Sequence, residues 1–325
     1  MKQPRAEDAI IVPEILPPSD DGVFKTLLTH PDAKPVLCDI IASVLDIPVT
    51  DAVVRNSELP ISGIREKCER FDVNCRTEDS RQIDVEMQAE PATGDSAATG
   101  HENLKKRAIY YLCDLHASQE GRGTHYQNLM QSFQITFCGF TVFSRRRDFM
   151  AKFAFRSEDG ETLSDAVGIV FVELSKLKSA MKKPVKEMTS SEMWAVFFGH
   201  ANESKHKKLL REMIDAKEEI KLASELLMNI SRDEKERAHY RSRKMFLMDM
   251  EHSMAVARDE GLEKGIEQGI EKGIKQGKEE GLTEVAKNAF AMGLSVDQIE
   301  KLTGLSRAET ESLCGRRDLS GAGDA

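Results

Sequence analysis

Residues 71–88 read FDVNCRTEDSRQIDVEMQ, from Phe71 to Gln88. Apolar and polar residues alternate over Phe71 to Cys75 and again over Gln82 to Gln88, the period-2 pattern of half-buried strands. If the loop between them is Glu78-Asp79-Ser80, paired residue numbers sum to 158, so Cys75 faces Ile83 and Asp72 faces Glu86. Asp72, Asn74, Asp84, Glu86 and Gln88 then share one face, and Phe71, Val73, Cys75, Ile83, Val85 and Met87 fill the other. Carboxylates opposite one another on paired strands repel, so they need solvent, a proton or a cation. A hard divalent cation such as Mg²⁺ answers that need, because it prefers oxygen ligands and uses only one or two carboxylates. An exposed hairpin whose outer face is simply polar satisfies the same spacing.

Upstream, Phe24, Leu27, Leu28, Val36, Leu37, Ile40, Ile41 and Val44 recur at helical spacing on either side of Pro31, which predicts two short helices between Pro17 and Leu45. Downstream, the small polar run 91–101 reads as a loop, and Leu104, Ala108, Tyr111, Leu112 and Leu115 mark an amphipathic helix over 102–120. Strands follow at Ile135 to Phe143 and Gly168 to Leu174, and a strand-helix-strand order favours a mixed α/β sheet. Residues 190–257 are charged and helical in pattern. Gly261, Gly265, Gly269, Gly273, Gly277 and Gly281 then recur every four residues. In a helix each glycine costs about 0.8–1 kcal/mol relative to alanine, so the segment is either a helix tightly paired with another or a frayed linker. Capping boxes at Ser295/Gln298 and Ser306/Glu309, after a helix over 283–292, outline three short helices. That outline suits a helix-turn-helix unit or any small helical cap.

Composition narrows the function. The 325 residues are 40% hydrophobic, enough for a sizeable core, and the 55 acidic against 46 basic residues leave a net charge of −9. Tight non-specific binding to nucleic acid has no global electrostatic drive, so any such contact must be local. Six cysteines without a C-x-x-C predict neither a disulfide framework nor a zinc ribbon. No apolar run is long enough for a signal peptide or membrane span, which predicts a cytoplasmic protein with no membrane contact. P-loop, H-E-x-x-H and G-x-S-x-G signatures are missing from the sequence, and the histidines read as surface residues.

Several stretches, in order, carry a resemblance: Asp21-Gly-Val-Phe-Lys25, Phe71-Asp-Val-Asn-Cys75, Ile83-Asp-Val-Glu-Met-Gln88, Lys106-Arg-Ala-Ile-Tyr-Tyr111, Val172-Glu-Leu-Ser-Lys176 and the glycine repeat. The chain resembles the Rpn family of recombination-promoting nucleases and transposases, a branch of the PD-(D/E)XK nucleases. The resemblance implies an α/β restriction-endonuclease-like mixed sheet flanked by helices, with a helical C-terminal extension. It further implies an endonuclease that hydrolyses DNA with Mg²⁺, or Mn²⁺ or Ca²⁺ in its place, in recombination or mobile-element biology. Asp72 and Glu86 match the metal carboxylates. Gln88 stands where related nucleases carry lysine, so it would orient water by hydrogen bonds rather than by charge. Asp21 is an accessory carboxylate or a helix-start acid, and Arg107 a phosphate contact or part of a solvated helix face. The expected organisation is a nuclease core over 1–200, a helical extension over 201–257, the repeat over 258–282, a small helical unit over 283–314 and a tail over 315–325. Self-association through the repeat is expected. The rival reading is a nuclease fold kept as a non-catalytic scaffold for DNA or protein.

Overall fold

The computed structural model describes residues 15–55, 73–90, 97–119 and 125–314, with 97–99 and 314 as backbone. The chain divides into two compact units, Met1–Asp249 and Met250–Ala325.

The first unit opens with helix α1 (Asp21–Leu28), whose first turn is capped by the Asp20 carboxylate accepting from the Gly22 and Val23 amides at 3.1 and 3.2 Å. A 3₁₀ turn at Pro31–Ala33 leads into α2 (Lys34–Leu45), so the proline interrupts the helical pattern where the spacing predicts. Strand β1 (Ala52–Val54) precedes the hairpin of β2 (Val73–Thr77) and β3 (Gln82–Gln88). Helix α3 (Ala97–Ala117) then crosses over to β4 (Ser132–Cys138), followed by β5 (Met150–Arg156) and β6 (Thr162–Glu173). The sheet order is β1-β2-β3-β4-β6-β5, with β3, β4 and β6 mutually parallel and the other pairs antiparallel.

The hairpin register follows the expected sum: Cys75 pairs with Ile83, Asn74 with Asp84 and Val73 with Val85. Ser80, the last loop residue, adopts φ +70°, the left-handed closing residue of a three-residue hairpin loop.

Each sheet face has its own cover. On one side Val85, Met87, Ile135 and Phe137 pack against Phe24, Leu37, Ile41, Trp194 and Phe198 from the helices. The Phe24, Phe137 and Phe198 rings lie 5.0–5.8 Å apart by centroid, and burying each contributes about 1.5–3 kcal/mol. Trp194 and the two phenylalanines Phe197 and Phe198 belong to α4 (Ser190–His200), begun by a Thr189/Glu192 capping box. Asp39 of α2 ties this layer together by accepting from Trp194 Nε1, Ser190 Oγ and Lys217 Nζ at 2.6, 2.8 and 2.9 Å. On the opposite face, Leu104 and Ala108 of α3 meet Cys138, Val142 and Phe171. Helices α5 (Lys207–Ala216) and α6 (Glu218–Arg232) complete the first unit, and α7 (Glu234–Ala291) continues from it into the second.

The glycine repeat is helical throughout. A methyl group built at any of its six glycines would touch nothing within 4 Å, so among the described residues no other segment packs against that stripe. The helix expected at 283–292 is the C-terminal end of α7 rather than a separate element. The helices α8 (Val296–Thr303) and α9 (Arg307–Cys314) follow the expected caps, with Gly293 and Gly304 turning the chain at φ +90° and +72°. Strand β5 was not foreseen. Its outer residues are largely solvent-exposed, so its sequence carries no buried stripe to mark it.

Candidate active site

The polar face of the hairpin lies under α3, not in solvent. Parallel pairing of β3 with β4 sets Asp84 beside Gln134, Glu86 beside Thr136 and Gln88 beside Cys138. Alternation therefore delivers four polar side chains to one dry layer, and Asp84, Gln134 and Thr136 are each 0% exposed and Glu86 6%. The reading of an exposed, merely polar hairpin is thereby corrected for β3: the crossover helix covers the acidic face.

Arg107 reaches into this layer from α3. Its Nη2 donates to Glu86 Oε1 and to Gln88 Oε1, both at 2.5 Å, while its guanidinium lies 5.9 Å from the Tyr111 ring. Gln134 Nε2 approaches Glu86 Oε2 at 3.4 Å, and Gln88 Nε2 donates to the Glu90 carbonyl at 2.7 Å. Arg107 is thus a partner of the acid at this site, a role different from an outward-facing phosphate contact.

Burial dominates the electrostatics. It pushes the Glu86 carboxyl up to about 7, against the opposing pull of Arg107 and with a further push from the Asp21 charge. Burial also raises Asp84 well above the usual carboxylate range, with Glu86 adding to the shift and the Gln134 amide and Arg107 moderating it. Neither Asp84 oxygen has a well-formed hydrogen bond, and Gln134 Oε1, Thr136 Oγ1 and Arg107 Nε beside it are also unsatisfied. Buried polar atoms rarely stay unpaired, because each costs about 1–3 kcal/mol. The orphaned oxygens fit a hard divalent ion or its bound water, and the all-oxygen donor set suits Mg²⁺ better than zinc.

Of the residues singled out from sequence, Glu86, Gln88 and Arg107 come together, and Asp21, in the first turn of α1, is close enough for its charge to act on Glu86. The helix cap at that point is Asp20, which also binds Arg243 at 2.6 Å. Asp72 lies outside the described residues; the pairing stops one step short of it, at Val73 with Val85. Sequence reasoning placed Asp84 on the acidic face without giving it a role, and it missed Gln134 and Thr136. The alternation of Gln134 and Thr136 with Ile135 and Phe137 was the signal, once β4 was known to lie beside β3.

A mixed sheet with this strand order, a crossover helix over its acidic strand and helices on the far face defines a restriction-endonuclease-like fold. A family model described as PD-(D/E)XK nuclease family transposase matches residues 18–257. The chain belongs to that family, which gives it a nuclease-like, transposase-associated role. No curated protein and no solved structure matches the chain significantly. No helix among the described residues is long and apolar enough to cross a membrane.

Proposed function

We propose that the protein is a divalent-metal-dependent DNA endonuclease. The observation that carries this reading is the buried, proton-retaining Glu86 surrounded by unsatisfied oxygens of Asp84, Gln134 and Thr136. Asp72 and Glu86, with the Met87 carbonyl, would hold Mg²⁺, Mn²⁺ or Ca²⁺. Once bound, such an ion polarises a phosphoryl oxygen and lowers the proton affinity of water. Gln88 orients the attacking water: Arg107 uses one lone pair of its Oε1 and leaves the second to accept from water. Arg107 holds Glu86 and Gln88 in one geometry and supplies positive charge where a phosphodiester gains negative charge. DNA contact is local despite the overall acidity, since Lys105 lies 5.3 Å from the Phe143 ring centre and Arg146 5.7 Å from that of Phe153, pairing cations with stacking surfaces beside α3.

Within this reading residues 1–200 cut, 201–257 extend the core and 283–314 form a small accessory helical unit; the tail expected over 315–325 lies outside the described residues. The unpartnered glycine stripe over 258–282 supports pairing with a second copy. A cytoplasmic setting agrees with the free thiols of Cys38, Cys75, Cys113 and Cys138. The specific observation favouring a non-catalytic scaffold is that Arg107 already engages Glu86 and Gln88. Supercoiled plasmid with Mg²⁺ separates the two. Wild type should nick it and Asp72→Ala or Glu86→Ala should not; equal residual nicking in all three removes the enzymatic reading.

A further inference from the structure

The chain leaves α4 through two successive turns. The Glu203 amide donates to the His200 carbonyl at 2.9 Å and the His206 amide to the Glu203 carbonyl at 3.1 Å. The two turns, joined at an extended Glu203, bring His200, Glu203 and His206 together on one side of the chain. His200 Nδ1 lies 3.1 Å from Glu203 Oε1, and His206 Nε2 lies 3.4 Å from Glu203 Oε2. One donor atom from each residue falls within 4.8 Å of the others, and among the described residues no other three His, Cys, Asp or Glu side chains converge this way.

A tetrahedral ion with bonds of about 2.0–2.1 Å has ligand atoms roughly 3.3 Å apart, and each histidine nitrogen already stands near that distance from one of the two Glu203 oxygens. The side chains are 21%, 32% and 24% exposed, so one side remains open to water. Glu203 Oε2 is screened from solvent and has no hydrogen bond of good geometry, although Lys205 Nζ stands 2.8 Å away. That lysine is 69% exposed and can swing into solvent when a cation arrives.

We propose that His200, Glu203 and His206 bind a divalent transition-metal ion of the Zn²⁺ type, with water in the fourth position. Two imidazole nitrogens in a three-ligand set select against Mg²⁺ and Ca²⁺. The ion would clamp the exit of α4, the helix that carries Trp194, Phe197 and Phe198 into the core. This site is independent of the nuclease reading and stands or falls without it.

The test is Zn²⁺ titration of the full chain in competition with a chromophoric chelator, together with the visible spectrum of the Co²⁺-loaded protein. Wild type should take up Zn²⁺ at this site and show the intense bands of four-coordinate Co²⁺. His206→Ala should weaken Zn²⁺ binding by roughly tenfold or more and remove the bands. Cys113→Ser, which deletes the one exposed thiol among the described residues, should change neither. Should His206→Ala fail to fold, His200→Gln and His206→Gln carry the same expectation. Unchanged affinity and spectrum in the histidine variants, or a loss caused by Cys113→Ser, would overturn the assignment.

Discussion

Mg²⁺ or Mn²⁺ should raise the melting temperature of this protein, and the rise should grow as pH passes through neutrality. The reason is competition for one oxygen pair. Glu86 is 6% exposed and holds its proton up to about pH 7, so proton and metal are alternative occupants of the same carboxylate. With a carboxyl titrating near 7, roughly nine-tenths of the molecules are ionised at pH 8 and only about one-tenth at pH 6. Taking a dissociation constant on the order of 1 mM for the ionised site, 10 mM metal stabilises the native state by about 1.4 kcal/mol at pH 8. At pH 6 the apparent constant rises about tenfold, and the gain falls below about half a kcal/mol.

A folded unit of this size gains roughly 2–4 °C per kcal/mol, so the expected shift is about 3–5 °C at pH 8 and about 1 °C at pH 6. Differential scanning fluorimetry at the two pH values, with and without metal, gives the readout. Glu86→Gln should abolish the shift at both. The reasoning is refuted by an equal shift in wild type and variant, or by a wild-type shift that does not depend on pH.

Without added metal, Glu86 makes the native state bind more protons than the unfolded chain between its ordinary value of 4.5 and about 7. Its favourable contribution is therefore complete below that window and is lost as pH rises through it, by roughly 3 kcal/mol in all. Urea melts at pH 5 and pH 8 should show this loss in wild type and a flatter dependence in Glu86→Gln. Asp39→Ala strands the buried Trp194 Nε1 and removes the nearer of the two acidic partners of Lys217, so urea denaturation should register a loss of about 2–4 kcal/mol. Gly139→Ala would drive a Cβ into the Ala89 carbonyl beside the Gly139–Gln88 backbone bond. It should cost about 1–3 kcal/mol and reduce plasmid nicking, because Gln88 is displaced. Gly269→Ala with Gly273→Ala should raise helicity by circular dichroism, at about 1 kcal/mol per site, while sedimentation equilibrium shows weaker self-association.

The hairpin was legible because two signals agreed: period-2 alternation set the faces and the loop length set the register. That pair of constraints put Cys75 opposite Ile83 without knowledge of any other strand. The burial of the acidic face was not legible, since it depends on α3 crossing to a strand whose position relative to β3 no local pattern encodes. Arg107 illustrates the same limit. Its helix was evident from Leu104, Ala108 and Leu112, yet the direction of its side chain, toward Glu86 rather than solvent, follows from the docking of that helix on β4 and β6. His200 and His206 escaped for a different reason. Their six-residue separation matches no common ligand spacing in a regular helix, and becomes meaningful only where two tight turns replace α-helical geometry.

Charge balance explains why the hairpin face tolerates its acids. Asp84 and Glu86, two residues apart on one strand face, both feel the field of Arg107. Burial raises both carboxyls, and one guanidinium offsets only part of that shift, so Asp84 lies well above the usual carboxylate range and Glu86 is close to its midpoint at neutral pH. Replacing this arrangement with apolar residues would remove the unsatisfied atoms at Asp84, Gln134 and Thr136 and would make a more stable core. A layer that forgoes such packing is suited to accept positive charge: in the proposed reading, a divalent ion would ionise Glu86 and offer the orphaned oxygens a partner or a bound water. Stability given up at one strand face is what the proposed metal site would require of this fold.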